Sequence, residues 1–293
     1  MAQVLEELSS AVSELAGRLA PSVVGVGRGG SGLVVGEGQV VTNAHNLRDG
    51  EVTVTFADGR RAAGTVAAAD LHGDLAVVSV DTAGAPVPAF AEGGAAVGTV
   101  VVALANPGGR GVRASIGTVS AVDVAFRGPG GRRVTGAVEH TAPLVRGSSG
   151  GPVVDARGAV VGIDTHRVGD GAYLAIVADA ALRARIDALG RGEAPVRPRL
   201  GIAVAPSHVA RRLRRAVGLA ERDGVLVHAV EEGGPAGRAG VREGDLLVTI
   251  GGTVVTDVDS LAAAVQTAAG TTVEVGVVRG AEELVVSVEV PAG

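Results

Sequence analysis

The apolar positions change rhythm along the chain. Over residues 3–19, Leu5, Leu8, Val12, Leu15 and Leu19 recur at steps of three and four. That spacing predicts one amphipathic helix, which Pro21 ends. Its apolar face can pack on its own domain or meet another copy of the chain. From Val23 to about Ile176 the rhythm shortens. Short apolar runs appear at Val23–Val26, Gly32–Val35, Val40–Thr42, Val52–Phe56, Leu75–Val80, Val100–Leu104, Ile116–Val122, Ala159–Ile163 and Tyr173–Val177. Gly36-Glu37-Gly38, Ala57-Asp58-Gly59 and Asn106-Pro107-Gly108-Gly109 punctuate them. Many short strands with glycine-rich turns predict an all-β barrel or sandwich. Asp179–Leu189 then reads as a helix, with Gly190 placed to stop it.

Residues 191–198 hold two prolines and no apolar period, which predicts an extended linker. The remainder has room for a second compact domain. Its pattern predicts strands at Gly201–Val204, Gly224–Val230 and Asp245–Ile250, helices near His208–Val217 and Ser260–Ala268, then two closing strands. The expected organisation is a helix over 1–20, a β domain over 21–190, a linker over 191–198 and a second domain over 199–293.

Composition sharpens this. Aromatics are 1% of the 293 residues, so the cores must be built from Val, Leu, Ala and Ile. The net charge of −5 and the scarcity of aromatic platforms argue against nucleic-acid binding. All 26 basic residues are arginine, which removes P-loop, Schiff-base and Ser-Lys chemistry. The absence of cysteine removes disulfides, thiolate catalysis and cysteine zinc sites. His140, His166, His208 and His228 show no metal-binding spacing, and no metal or cofactor is expected. Glu6 and Glu7 stand where a secretory leader would be basic, and no apolar run is long enough to span a bilayer. The expectation is a cytoplasmic protein as given, or an extracytoplasmic one if a leader has been removed.

Three peptides carry chemistry. They are Thr42-Asn43-Ala44-His45, Asp74-Leu75-Ala76-Val77-Val78 and Gly147-Ser148-Ser149-Gly150-Gly151-Pro152. A serine hydroxyl is a poor nucleophile until a base takes its proton, and neutral imidazole is that base near pH 7. A carboxylate on the other ring nitrogen fixes the tautomer and steadies the imidazolium. Glycines beside the serine let backbone amides turn toward a developing oxyanion. His45 is thus the candidate base, Asp74 its orienter and Ser149 the nucleophile. Gly147, Ser148 and Ser149 form the candidate oxyanion hole. Asp70 and His72 are rivals for the acid and the base, but lack the surrounding motif.

In these motifs the chain resembles trypsin-like serine proteases of the HtrA type. Ala20-Pro21-Ser22-Val23-Val24, Gly30-Ser31-Gly32-Leu33-Val34-Val35 and Val41-Thr42-Asn43-Ala44-His45 carry the resemblance through the histidine. Asp74-Leu75-Ala76-Val77, Asn106-Pro107-Gly108, Gly117-Thr118-Val119-Ser120, Gly147–Pro152 and Gly162-Ile163-Asp164-Thr165 continue it. Asn46, Arg146, Ser148 and Asp164 depart from the family pattern, which usually has an apolar residue, Pro, Asn and Asn there. Arg199-Leu200-Gly201-Ile202, Gly233–Val241 and Gly244-Asp245-Leu246-Leu247 resemble a permuted PDZ domain.

The resemblance implies a mostly β protein, a trypsin-like double β-barrel followed by an α+β PDZ domain. It implies a serine endopeptidase for unfolded or damaged chains. Leu144 would lie at the floor of the primary pocket, with Thr165, His166 and Arg167 along the substrate wall. In the second domain a C-terminal peptide would add a strand beside Ile202, with its carboxylate at Leu200, Gly201 and Ile202 and with Leu261 and Val265 as the facing wall. A homotrimer is also implied. Asn46 and Arg146 motivate a rival, a catalytically silent chaperone or peptide-binding adaptor on the same fold. An esterase using the same triad is a second rival.

Overall fold

The computed structural model describes residues 2–47, 51–128, 133–169, 171–195 and 197–292. Val196, within the expected linker, lies outside the described residues. The chain divides into two compact units, Met1–Ala194 and Pro195–Gly293.

The first unit holds two closed barrels. One consists of β1 (Val23–Val26), β2 (Gly30–Gly36), β3 (Gln39–Thr42), β4 (Val52–Thr55), β5 (Arg61–Asp70) and β6 (Leu75–Ser79), in the order β1-β2-β3-β6-β5-β4. The other consists of β7 (Val100–Ala105), β8 (Arg113–Arg127), β9 (Arg133–His140), β10 (Pro152–Val154), β11 (Val160–Val168) and β12 (Ala172–Val177), in the order β10-β11-β12-β9-β8-β7.

The runs are continuous rather than alternating because both faces of these strands are buried. Val24, Val26, Val34, Val40 and Val78 fill the first barrel. Their chain neighbours Val23, Leu33, Val41 and Val77 point the other way, into a core shared with Val102, Leu104, Val154, Val160 and Ile163 of the second barrel. Successive strand side chains face opposite sides, so one apolar run serves two cores.

In this unit, three of the described strands escape the apolar pattern. β5 (Arg-Ala-Ala-Gly-Thr-Val-Ala-Ala-Ala-Asp) is made largely of weak strand formers. It is extended because β4 and β6 pair with it on either side. β9 and the three-residue β10 are likewise fixed by their partners.

Helix α1 (Ala2–Leu19) buries side chains in its second half. Leu15 and Leu19 are buried with Val12 and Ala16 against them. Leu5 and Leu8 are 57% and 43% exposed. Helix α2 (Ala180–Gly190) starts at Asp179, whose carboxylate accepts the Leu182 amide at 2.7 Å. Gly190 does not stop the helix as the sequence suggests; it is its last residue, and the left-handed glycine is Gly192 at φ +84°. Among the described residues no helix is long and apolar enough to cross a membrane.

The second unit holds β13 (Ile202–Ala205), α3 (Ser207–Ala216), β14 (Val225–Val230), the short α4 (Pro235–Arg238), β15 (Leu246–Ile250), β16 (Thr253–Val254), α5 (Val258–Thr267), β17 (Thr272–Arg279) and β18 (Glu282–Glu289). The sheet runs β13-β14-β15-β17-β18, with β16 on β15, so β13 is an edge strand. Asp257 and Ser260 cap α5 reciprocally. Arg279 grips the buried Asp245 with two bonds of 2.8 Å. Burial alone would raise that carboxyl, but Arg279 and the Arg242 amide outweigh it and hold it below the usual range.

Candidate active site

Asp74 begins the site. It sits at the mouth of β6 with φ +51°, a left-handed conformation that Asp tolerates better than most side chains. The Asn43 side-chain amide holds its carbonyl at 2.8 Å. Three donors converge on its buried carboxylate. They are the backbone amide of His45 at 3.1 Å, His45 Nδ1 at 2.8 and 2.9 Å, and the Thr165 hydroxyl at 2.6 Å. A carboxylate accepting at Nδ1 requires a hydrogen there, which leaves Nε2 as the free basic nitrogen. Asp70, the rival acid, is committed to Arg185 at 3.0 Å and to the amides of His72 and Gly73.

Ser149 lies across the junction of the barrels. Its hydroxyl donates to the Thr165 carbonyl at 3.0 Å, and among the described residues no hydrogen bond joins it to His45. Thr165 therefore touches both halves, with its hydroxyl on Asp74 and its carbonyl on Ser149. The resemblance implies Thr165 as a wall of the substrate pocket. Its side chain is instead buried and turned into the site.

The turn before Ser149 is closed by the Ser148 amide donating to the Val145 carbonyl at 3.2 Å, with Gly147 at φ +92°. This corrects the expected oxyanion hole. The Ser148 amide is consumed within the turn, and the Gly147 and Ser149 amides have no acceptor among the described residues. The Ser148 carbonyl accepts from Gly151 at 2.9 Å, which aims the Ser149 amide, on the trans side of the same peptide, the opposite way. The Ser31 hydroxyl donates to the Gly147 carbonyl at 2.8 Å and accepts the Asn106 amide at 3.0 Å. Ser31 and Asn106 lie in quoted motifs, yet only their contacts reveal that they fix this turn.

A Cβ at Gly147 would lie 1.9 Å from the Gly29 carbonyl oxygen. A left-handed non-glycine residue adds strain of about 1–3 kcal/mol. Gly147→Ala should re-aim the turn and lower turnover by about 10²–10³, the usual cost of one oxyanion donor. Steady-state kinetics on the soluble, folded variant checks this.

Other predicted residues are dispersed. Leu144 is half-buried against the second barrel's core. His166 is exposed and stacked on Phe126 at 6.0 Å. Arg167 is exposed, donates to the Gly169 carbonyl at 3.1 Å and lies 6.0 Å from the Tyr173 ring centre.

Comparisons with known proteins bear on the domains that hold this site. Residues 30–163 match the trypsin-like peptidase domain family and residues 226–279 match the PDZ domain family. The chain is 33% identical over 252 residues to "Probable periplasmic serine endoprotease DegP-like" of Brucella suis, covering 80% of this chain and 46% of that protein. It is 34% identical over 244 residues to "Putative serine protease HhoA" of Synechocystis, covering 78% and 61%. The chain thus spans about half the length of the curated relatives it matches. A crystal structure of the serine endoprotease from Yersinia pestis superposes with a TM-score of 0.66 at 26% identity, covering 96% of this chain and 97% of that one. The chain thus carries matches to a trypsin-like peptidase domain and to a PDZ domain, and it is similar to proteins named as serine proteases.

One feature of this chain was hidden in its sequence. Behind Ser149, His140 Nε2 meets Asp164 Oδ1 at 2.8 Å, with both side chains fully buried. His140 Nδ1 and Asp164 Oδ2 have no hydrogen-bond partner among the described residues. Burial pushes the Asp164 carboxyl up, against the lowering effect of His140. A carboxyl raised on folding stabilises below its unfolded value, and that stability is lost as pH rises through the folded value. Asp164→Asn, which keeps an oxygen for His140, should raise the melting temperature at pH 8. The gain should shrink toward pH 4. Each kcal/mol relieved is worth about 2–4 °C in a domain of this size.

In the PDZ unit, a cavity of about 440 Å³ is lined by Arg199–Ala203 and by Ala229, Val230 and Glu231. Leu200 is buried, and Gly201 is left-handed at φ +71°. Leu261 and Val265 are buried in the core of this unit and do not line the cavity.

Proposed function

We propose that this chain is a serine endopeptidase acting through His45, Asp74 and Ser149. The observation that carries the reading is the convergence of His45 Nδ1, the His45 amide and Thr165 on one buried carboxylate, with the Ser149 hydroxyl held by that same Thr165. Acylation requires the Ser149 hydroxyl to leave the Thr165 carbonyl for His45 Nε2, and catalytic bonds commonly form only with substrate present.

The chemistry is then acyl transfer. Ser149 Oγ bonds to the substrate carbonyl carbon as its proton passes to His45 Nε2. The oxyanion is met by the Gly147 and Ser149 amides. His45 returns the proton to the leaving amine as the C–N bond breaks, leaving an acyl-enzyme. Water, deprotonated by His45, attacks it and releases the new carboxylate and Ser149. No step calls for a metal or cofactor.

Substrates are extended segments of unfolded or damaged chains. Leu144 would form an apolar pocket floor, with His166 and Arg167 along the wall. The edge position of β13 supports strand addition by a C-terminal peptide, with Leu200, Gly201 and Ile202 at its carboxylate. The exposed Leu5 and Leu8 of α1 suit a contact within a homotrimer. The periplasmic naming of relatives supports an extracytoplasmic placement.

The test is covalent labelling by a serine-directed phosphonate beside casein and short-ester hydrolysis. Labelling at Ser149 with casein cleavage is the expected result. Labelling with ester cleavage alone would make the chain an esterase. No labelling, even with C-terminal peptide added, would leave a peptide-binding adaptor.

A further inference from the structure

Asn46 occupies a position where the family usually carries an apolar side chain, directly after the proposed base. It lies in the single turn Ala44–Asn46. Its Nδ2 donates to the Ser149 carbonyl at 2.8 Å and to the Thr42 hydroxyl at 3.0 Å. The Thr42 hydroxyl donates to the Ser31 carbonyl at 2.6 Å, so its oxygen is free to accept. The Ser31 amide makes a second bond to the Ser149 carbonyl, at 3.0 Å.

The space for the Asn46 amide is provided by Gly30. A Cβ there would come within 2.5 Å of Asn46 Cγ, and the three nearest atoms all belong to the Asn46 side chain. Gly30 is not in the left-handed region, so the backbone does not demand glycine. What demands it is room for Asn46.

The base and the nucleophile come from different barrels, and at rest no hydrogen bond among the described residues joins them directly. The geometry points to Asn46 as a positioning residue that ties the His45 turn to the Ser149 peptide and fixes the separation of imidazole and hydroxyl. This rests on the peptidase reading above. A misplacement near 1 Å between reacting groups can cost about 10²-fold in rate. The Ser31 bond persists without Asn46, so the expected loss is about 10- to 100-fold. It should fall on kcat, because Asn46 acts on the machinery rather than on bound peptide.

Two variants test this. Asn46→Leu removes both donors at similar volume. Gly30→Ala keeps Asn46 but drives its amide off the Ser149 carbonyl, touching neither His45 nor Ser149. Active sites are counted by phosphonate titration, so that turnover is expressed per titrated site. Both variants should show kcat per site reduced about 10- to 100-fold, KM within about threefold, and an unchanged acidic limb of the pH profile. A purely structural role would instead lower the titratable fraction and the melting temperature, with normal turnover per site. Turnover per site within threefold of the parent in either folded variant overturns the assignment while leaving the peptidase reading intact. If the parent itself neither labels nor cleaves, the peptidase reading fails, and the assignment with it.

Discussion

Ser149→Ala should abolish peptide hydrolysis, with turnover falling by about 10⁶-fold, while the fold and peptide binding by the PDZ unit persist. Among the described residues the hydroxyl makes one neutral hydrogen bond, to the Thr165 carbonyl, so its loss should cost only about 0.5–1.5 kcal/mol of stability. The large effect thus lies entirely in the chemical step. Groups that act as a unit are not additive. Adding His45→Ala to Ser149→Ala should therefore cost almost nothing further. Active-site titration and casein hydrolysis check the first statement. A double variant much slower than either single one would mean that His45 works outside the unit.

Asp74→Asn should lower kcat/KM by about 10⁴-fold, or about 5.5 kcal/mol of transition-state stabilisation. The carboxylate accepts three donors with two oxygens, and asparagine offers one oxygen and one NH₂ group. If the NH₂ faces His45 Nδ1, the imidazole is forced into the tautomer with its hydrogen on Nε2 and cannot take the serine proton. If the amide flips, its NH₂ meets the Thr165 hydroxyl, which must then accept rather than donate and leave its own hydrogen without this acceptor. Either outcome slows acylation while leaving a folded protein, as circular dichroism would show. Retained turnover would mean that another carboxylate serves His45. Asp70, already bonded to Arg185 and two amides, is poorly placed to do so.

The departures from the family pattern are informative in the same terms. Asn46 and Arg146 raise the prospect of a silent binder. Asn46 proves to be wired to the Ser149 carbonyl, and Arg146 is exposed on the turn. Asp164 gains meaning only from His140, which lies 24 positions away and has no motif around it.

Much of this protein was legible in the sequence because it is local. The steps of three and four from Leu5 through Leu8, Val12 and Leu15 to Leu19 set α1. Apolar runs set most strands, glycines set the turns, and three short motifs held the candidate triad. What the sequence could not decide depends on partners from elsewhere in the chain. β5, with its alanines and threonine, became a strand only through pairing on both edges. Leu5 and Leu8 share the period of Leu15 and Leu19, yet the first pair stays exposed while the second enters a core. The commitment of the Ser148 amide to Val145, the turning of Thr165 into the site and the link from Asn46 to Ser149 are contacts that emerge only on folding. Residue types and local periods fix which groups are available and which elements form. Which donor meets which acceptor is set by the closure of two barrels around a shared core, and side-chain hydrogen bonds depend on that geometry to within a few tenths of an ångström.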